Sequence, residues 1–303
     1  MGEEAQDRKK EQRGGGVMTG KKKKKSRARD VWRRLRRNKL AMVGLGIVAI
    51  LFLAAAFADF LAPYDYAKQD YSAVFVYPCR AHLLGTDNCG RDILSRIIYG
   101  GRISLIVSVM AVSISLIIGG IIGATAAYIG GRTENFVMRL MDIVMAIPGF
   151  LLAVSISSSL GSGILNTAIA IGIGGVPMLA RIVRASVLSI KEQEFVEAAC
   201  ATGASGARII FRYLLPNCLA PIIVQTTLNI GQSILAISSL SFIGLGVQPP
   251  TPEWGSMLSY GREYIRTFWP IVTFPGIAIM LTLISFNVLG DGLRDAMDPR
   301  LKQ

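Results

Sequence analysis

The sequence is poor in the side chains that most often carry covalent or metal chemistry. It contains one histidine, His82, and four cysteines among 303 residues. It has no HExxH, GxSxG or CxxC pattern, which argues against a zinc protease, a serine hydrolase of that type and a redox dithiol. We therefore expect that this chain is not an enzyme and holds no cofactor and no metal of its own.

Charged residues are also scarce, and five long stretches contain none. Asp, Glu, Lys and Arg make up 17% of the chain, whereas 51% is hydrophobic. The uncharged stretches are residues 40–58, 103–129, 143–180, 213–252 and 267–290. About 20 helical residues cross a bilayer core of roughly 30 Å. Because lipid offers no partner to free backbone groups, the sequence predicts an all-α membrane protein.

The uncharged stretches divide into six predicted transmembrane helices. The stretch 143–180 is long enough for two spans, with a bend at residues 161–163 and Asn166. In the stretch 213–252, Pro249, Pro250 and Pro252 end the helix. The predicted spans are about 40–61, 104–127, 143–160, 164–181, 218–240 and 269–290.

Positive charge is concentrated at the N-terminus. Residues 1–39 contain 16 Lys and Arg residues and 5 acids, in a chain of net charge +13. We interpret this segment as a disordered cytoplasmic tail that sets the topology by the positive-inside rule, so both termini are expected in the cytoplasm. The predicted organisation is a tail at 1–39, a first span at 40–62, an extracytoplasmic loop at 63–102 and a five-span core at 103–303.

A glycine-rich part of the tail, residues 15–21, is similar to the front of a phosphate-binding loop. The next residue is Lys22, where Ser or Thr would hold magnesium, and no strand precedes it. A flexible basic linker is therefore expected. The run of lysines at 21–25 leaves a nucleic-acid-binding or membrane-tethering function as an alternative.

The cysteines are spread over two regions. Cys79 and Cys89 lie in the first predicted outside loop, where a disulfide is plausible in an oxidising compartment. Two free thiols are the equally weighted alternative. Cys200 and Cys218 are expected to be small packing residues.

A charged insert separates the fourth and fifth predicted spans. It reads EFVEAACATGASGARIIFRYLLPN over residues 194–217. Ser189 and Glu192 have the spacing of a capping box, which predicts a helix that starts there. Gly203 stands where a left-handed residue would end that helix. Ser205 can cap a second helix over 206–215, and Pro216 prevents its smooth continuation.

This predicted helix-turn-helix, residues 189–217, has the form of a docking element. Ala198 and Ala199 are small enough to let another surface approach, and Glu197 can pair with a partner or with Arg208 or Arg212. The predicted apolar anchors are Phe195, Ile209, Ile210 and Phe211. A helix-in-groove contact is favoured. The alternative is a hairpin lying on lipid, but the first helix carries three glutamates that anionic headgroups would repel.

The insert resembles the EAA loop of bacterial ABC-importer permeases. The matching residues are Glu197, Ala198, Ala199, Gly203, Leu215 and Pro216. In that family this loop forms the coupling helix that sits in a cleft of the ATPase subunit. The resemblance implies that these six residues couple the chain to an ATPase.

Three further stretches are similar to the dipeptide, oligopeptide and nickel permease family. They are HLLGTD with GRD and SR over residues 82–96, GVQPPTPEWG over 246–255 and LGDGLRDAMDPR over 289–300. The six-span form with a long first outside loop looks like the C-type subunit. The resemblance covers about residues 32–303 and makes 103–303 the permease core.

The resemblance implies a multi-pass subunit of the bacterial inner membrane that forms half of a translocation pathway. Its implied partners are a homologous second permease, two ABC ATPase subunits or domains that bind ATP and Mg, an extracytoplasmic substrate-binding protein and membrane lipid, but no nucleic acid. Peptides are the favoured cargo, and nickel or another small solute stays open. An intramembrane enzyme is a remote alternative.

Polar residues inside the spans are candidates for lining the pathway. They are Asn229, Gln232, Ser233 and Asn287, because intramembrane polar groups often face cavities. Hydrogen bonding between helices is the alternative, and for the serine it is the favoured one. Gly119 and Gly123 are expected to permit close helix packing.

Overall fold

The computed structural model describes residues 27–298, and this part of the chain is helical with no strand. Its helices are α1 (Arg27–Leu35), α2 (Lys39–Ala56), α3 (Ala58–Leu61), α4 (Ile93–Ile129), α5 (Gly131–Ala146), α6 (Gly149–Leu160), α7 (Ile164–Lys191), α8 (Glu194–Ala201), α9 (Gly206–Arg208), α10 (Leu219–Phe242), α11 (Trp254–Gly261) and α12 (Pro270–Met297). Short 3-10 turns occupy Tyr71–Ala73 and Arg262–Tyr264. The glycine-rich stretch 15–21 and the lysines at 21–25 lie outside the described residues.

Five helices of the described chain are long and apolar enough to cross a membrane: α2, α4, α7, α10 and α12. The remaining predicted span, 143–160, is not one straight helix. It is formed by α5 and α6, which meet at 86° and bring the spans to six if the pair counts as one. Pro148 explains the break, because a proline disfavours helical backbone at the residue before it. Ile147 is accordingly extended, with φ −82° and ψ 125°.

Three spans are longer than the uncharged stretches predicted, and one of them, α12, continues past Asp291 to Met297. The helix α4 begins at Ile93, so the preceding loop ends at residue 92 rather than 102. The protein itself satisfies the charges in this extension, since Arg102 donates to Asp59 at 2.9 Å and to the Ala55 carbonyl at 2.6 Å. The helix α7 likewise continues to Lys191, whose Nζ donates to the Ala127 carbonyl at 2.9 Å.

The predicted disordered tail is wrong for its last third, because residues 27–35 form α1. Val31 and Leu35 pack against Ala41 of α2 and Ala296 near the end of α12. A Cβ at Gly292 would lie 2.2 Å from the Ala41 Cβ, so this glycine permits the close approach. Val31 and Leu35 are spaced i and i+4 and thus lie on the same face of α1, which explains how so short a helix packs on the bundle.

The helices α4 and α7 pack closely along most of their length. A Cβ at Gly119 would lie 2.7 Å from the Val176 carbonyl, and one at Gly123 would lie 2.2 Å from the Ala180 carbonyl. The predicted role of these two glycines in close packing is therefore confirmed. The pair forms a closely packed frame, because a side chain at either glycine would clash with the backbone of α7.

The α3–α4 loop, residues 62–92, is held together by buried polar groups. The Asp87 carboxylate accepts from Arg91 Nε at 2.7 Å and from the amides of Cys89 and Arg91, and Arg96 lies 3.6 Å away. His82 Nδ1 lies 3.0 Å from Asp92 Oδ1. These groups satisfy one another, and Phe75 and Leu84 of the same loop pack on the main apolar cluster of the bundle.

The disulfide proposed for this loop is not formed. Cys79 and Cys89 are both free thiols, and Cys79 is exposed. The two residues belong to separate turns. The Cys79 amide donates to the His82 carbonyl at 2.9 Å, whereas the Cys89 amide donates to Asp87 at 2.8 Å. Of the predicted packing cysteines, Cys218 is buried and Cys200 is exposed.

Candidate functional site: a docking loop and an intramembrane polar cavity

The α7–α10 loop, residues 192–218, begins later than the sequence predicts. Ser189 does not cap a helix, because it lies in the last turn of α7 and its hydroxyl donates to the Ser186 carbonyl at 2.7 Å. Gln193 occupies the N-cap position of α8. The Gln193 carbonyl accepts from the amides of Val196 at 2.8 Å and Glu197 at 3.3 Å. The spacing of a capping box was therefore misleading inside a continuing helix.

Gly203 turns the chain after α8, as predicted. Its φ is +77°, in the left-handed region. The Ala204 amide donates to the Ala199 carbonyl at 3.1 Å, which closes the end of the helix. No atom lies within 4 Å of the place where a Cβ would stand. Glycine is thus required here for its backbone conformation and not for space.

The second helix of the loop is irregular. Ser205 holds the N-cap position, but its side chain makes no capping hydrogen bond. After α9 the chain continues as a wide π turn over Ile209–Leu214 and a 3-10 turn over Leu215–Asn217. Pro216 lies in this last turn and is exposed, whereas Leu215 is half-buried. The predicted single helix over 206–215 is therefore three short helical pieces.

One face of the loop is buried inside the chain. Val196, Ile209, Ile210 and Leu214 pack in an apolar cluster, and Ile209 is only 1% exposed. The cluster is completed by residues of α4 and α7, namely Ala124, Ala127, Val183 and Val187. Ile209 and Ile210 are thus not anchors for a partner, contrary to the prediction. Their spacing alone could not distinguish an inward from an outward face.

Ala199 is also buried, at 5% exposed, so its small size serves packing within the chain. The opposite face carries Glu194, Glu197 and Ala198, all exposed. Among the residues that the structure describes, Glu197 forms no ion pair, and the suggested pairs with Arg208 and Arg212 are absent.

Two aromatic side chains extend the exposed face. Phe195 lies at the edge of α8, and Phe211 of the π turn is 59% exposed. Aromatic residues are unusual on a surface that carries acids, and they are favoured at the centre of protein interfaces. The exposed face therefore has the composition of a contact surface and not of a solvated loop.

A polar cavity of about 170 Å³ lies between α4, α7 and α10. Its lining consists of Val112, Ser115, Ile171, Gly175, Met178, Asn229, Gln232, Ser233 and Ala236. Three of the four predicted pathway residues are therefore brought together on one face of α10. Asn287 is on α12 and is not part of this lining.

Hydrogen bonds fix part of this lining. Asn229 Oδ1 accepts from Gln225 Nε2 at 2.8 Å, one helical turn away. The Ser115 hydroxyl donates to the Gly172 carbonyl at 2.6 Å, which joins α4 to α7. Gln232 is exposed and lines the cavity, and its side chain has no hydrogen bond among the described residues. Its amide is thus available to a polar solute or to water.

A larger groove continues from the cavity. It measures about 410 Å³ and shares Ile171, Gln232 and Ala236 with the cavity. Its far end is formed by Gly149 and Phe150 at the start of α6. The break at Pro148 therefore opens this side of the bundle.

A buried carboxylate that the sequence did not single out stabilises the helices around the cavity. Glu253 is 0% exposed. Its Oε1 accepts from the hydroxyls of Ser104 on α4 at 3.3 Å and Ser238 on α10 at 3.2 Å. The Ser256 amide donates to Oε2 at 2.9 Å. One sequence signal could have identified Glu253: it is an acid that follows a proline-rich break between two spans.

Trp254 completes the same junction. Its indole Nε1 donates to the Ile97 carbonyl at 3.0 Å. A Cβ at Gly101 would lie 2.9 Å from the indole ring, so the glycine makes room for it. Within residues 27–298, no group of three His, Cys, Asp or Glu side chains could hold a metal ion.

Comparison with known protein families assigns this chain to a family. The family of binding-protein-dependent transport system inner membrane components matches residues 115–303, which is more than half of the chain. The chain belongs to this permease family. The N-terminal TM domain of oligopeptide transport permease C matches residues 26–78 of the permease. The family resemblance found in the motifs is confirmed.

Several curated relatives cover 90% of the permease. The dipeptide transport system permease protein DppC of Alkalihalophilus pseudofirmus is 47% identical, and 90% of its own length is matched. The di/tripeptide transport system permease protein DppC of Pseudomonas aeruginosa is 44% identical, with 92% of its length matched. The glutathione transport system permease protein GsiD of Escherichia coli is 44% identical over 90% of its length.

Solved structures show the same fold. A chain from an inward-facing structure of the MetNI methionine ABC transporter has a TM-score of 0.54 to the permease at 16% identity. The match covers 67% of the permease and 97% of that chain. At this identity the likeness concerns the fold alone, and it supports an all-α membrane architecture.

Proposed function

We propose that this permease forms half of a pathway for peptides and that cytoplasmic ATPases drive it through the exposed face of the α7–α10 loop. Peptide cargo is supported by the relatives at 44–47% identity, which are named for dipeptide, di/tripeptide and glutathione transport. A homologous second permease supplies the other half of the pathway. A binding protein delivers the solute from outside, and both termini lie in the cytoplasm.

One observation carries the proposal: the docking loop and the cavity share their helices. The buried face of the loop packs on Ala124 and Ala127 of α4 and on Val183 and Val187 of α7. Farther along the same two helices, Ser115 and Met178 line the cavity. Nine residues of helix separate Ser115 from Ala124, which is a rise of about 14 Å. A displacement of the loop therefore moves the cavity walls directly.

The exposed face fits the proposed partner in its chemistry. Glu194 and Glu197 carry charge with no ion pair among the described residues, and the small, exposed Ala198 next to Glu197 lets a partner approach closely. A cleft with basic side chains and an apolar floor would satisfy both features. The three acids of residues 192–197 also disfavour the alternative of a hairpin lying on anionic lipid.

The docking function is tested with Ala198→Arg, which alters an exposed position. We expect loss of ATPase co-purification and of peptide uptake, with the subunit still present in the membrane. The control is Ala81→Arg, an equally exposed alanine in the α3–α4 loop, which should keep the ATPases bound. If Ala198→Arg retains both the ATPases and uptake, the loop is not the docking element.

The pathway is tested at Gln232. Replacing it by Leu keeps its approximate size and removes the amide that faces the cavity, so uptake should fall while the ATPases stay bound. Thr227→Val is the control, because Thr227 is on the same helix and its hydroxyl donates to the Ile223 carbonyl at 2.9 Å. Uptake of labelled dipeptide, competed by peptides or by nickel ions, reports the cargo. Competition by nickel but not by peptides would contradict the proposed peptide cargo.

A further inference from the structure

We infer that α1 and the turn after it form a binding surface for anionic phospholipid headgroups. Seven basic residues and one acid lie between positions 27 and 39, immediately before the first span. Neither the pathway nor the docking loop uses this segment. The inference stands whether or not the cargo is a peptide.

The inward face of α1 is apolar and fixes the helix to the bundle. Val31 and Leu35 contact Ala41 and Ala296, and the Arg34 Nη1 donates to the Asp298 carbonyl at 3.2 Å. Leu35 is 4% exposed, and its side chain lies 3.4 Å from the place where a Cβ would stand at Gly292 of α12. The opposite face is therefore held in one direction, away from the protein.

That opposite face is basic and carries a tryptophan. Arg29, Arg33 and Arg36 follow one another at helical spacings of four and three residues and are exposed. Trp32 lies beside them and is 50% exposed. The nearby acid, Asp30, pairs with Arg33 at 3.2 Å and offsets only one of the charges. Tryptophan beside basic residues is the composition of a membrane–water interface.

The position of this face relative to the bilayer selects lipid over a soluble partner. The outward side of α2 is apolar from its first turn, with Leu40 71% exposed and Val43 60% exposed. Arg36, Arg37 and Lys39 thus lie within four residues of the hydrocarbon boundary, about 6 Å if helical. The headgroup layer on each side is about 5–7 Å thick. The guanidinium groups therefore lie at the depth of the phosphates.

Headgroup chemistry matches these donors. Arginine presents a planar fork of N–H groups that suits a phosphate. Each basic residue strengthens the binding of such a segment to an anionic lipid surface about fivefold. The lysines at 21–25 of the sequence add positive charge directly before α1.

The test uses the full chain in nanodiscs, with tryptophan fluorescence as the probe and brominated lipids as quenchers. Brominated phosphatidylglycerol and brominated phosphatidylcholine are compared at equal mole fraction. In a Trp269→Phe variant Trp32 is the reporter, because Trp254 is buried at 1% exposed and stays unquenched. In a Trp32→Phe variant the reporter is Trp269 at the other end of the bundle, which supplies the matched control.

We expect brominated phosphatidylglycerol to quench Trp32 more strongly than brominated phosphatidylcholine, and both lipids to quench Trp269 equally. Replacement of Arg29, Arg33, Arg36 and Arg37 by Gln should abolish the preference, whereas their replacement by Lys should keep it. The preference should be present at low salt and absent at high salt. Equal quenching of Trp32 by both lipids overturns the inference. A preference for phosphatidylglycerol that persists in the Gln variant also overturns the inference. The same holds if an oligonucleotide, added at the same concentration of negative charge as the lipid, abolishes the preference.

Discussion

The two long connections of this permease, the α3–α4 loop and the α7–α10 loop, use their charged residues in opposite ways. In the α3–α4 loop Asp87 and Asp92 are buried and bound to Arg91, Arg96 and His82. In the α7–α10 loop the acids are exposed, and Glu197 forms no ion pair among the described residues. The first loop binds its two buried acids internally, whereas the second keeps its acids exposed, where another molecule could contact them.

The difference also appears in what anchors each loop. The α3–α4 loop is stabilised by polar contacts among its own residues and with the start of α4, and Phe75 and Tyr77 pack on Phe268 before α12 through their rings. The α7–α10 loop has an apolar underside that packs on the helix ends of the frame. A loop fixed by apolar packing and exposing unpaired charge is suited to transmit a displacement, because docking adds contacts without disturbing the internal ones.

The largest expected contrast is the sidedness of the two loops. Each has an exposed free thiol, Cys79 in the first and Cys200 in the second. A membrane-impermeant maleimide should label Cys79 in intact protoplasts without reductant and Cys200 only after permeabilisation. Labelling is read by mass spectrometry. Cys200 modified in intact protoplasts would reverse the proposed orientation, and Cys79 modified only after reduction would restore the disulfide.

The next contrast concerns stability. Asp87→Ala leaves Arg91 and Arg96 buried without their carboxylate, and breaking such a pair costs about 3–5 kcal/mol. We expect a lower thermal midpoint for the purified subunit and reduced yield. The matched change in the other loop, Glu197→Ala, should leave the midpoint unchanged. Equal loss in both variants would show that the loops do not differ as described.

A smaller effect is expected at Gly203, where backbone conformation is the cause. Gly203→Val should strain the left-handed turn by about 1–3 kcal/mol, weakening ATPase binding and uptake. Gly203→Asn is the control, because asparagine adopts this region more readily and the site has open space. If both substitutions reduce co-purification of the ATPases equally, the φ of residue 203 is not the cause. The partner would then contact residue 203 directly.

The smallest effect is expected at Glu197 itself. A partly exposed ion pair contributes about 0–1 kcal/mol, so Glu197→Ala should lower ATPase affinity less than fivefold. A titration of the ATPase against the reconstituted permease measures this, with Ala198→Arg as the severe reference. A loss larger for Glu197→Ala than for Ala198→Arg would mean that the pair is buried on docking.

The lengths of the uncharged stretches and the order of the motifs made the membrane architecture and the family predictable. They did not predict where individual helices begin, end or break. The break at Pro148 lay inside an uncharged stretch, where hydropathy hides it, although the proline itself is a known helix breaker. The early start of α4 was missed because this part of the helix lies outside the uncharged stretch. Charges at Arg96 and Arg102 ended the uncharged stretch, but the folded chain satisfies both.

Within the α7–α10 loop, the turn was predictable, but which face is buried was not. Gly203 was identified because few residues adopt a positive φ, which is a property of one residue type. The burial of Ile209 and Ile210 depends on α4 and α7, some 80 and 20 residues earlier in the chain. The Glu253 junction was missed because its partners, Ser104 and Ser238, are separated from it in sequence and carry no motif.

The bend between α5 and α6 has a consequence for the membrane around it. Twelve residues of α6 rise about 18 Å, which is far less than a hydrocarbon core of roughly 30 Å. In the described structure the amides of Gly149, Phe150 and Leu151 at its start donate no hydrogen bond. Hydrocarbon cannot tolerate such free amides. The start of α6 must therefore face a water-filled space or protein instead of lipid, and the groove lined by Gly149 and Phe150 provides such a space.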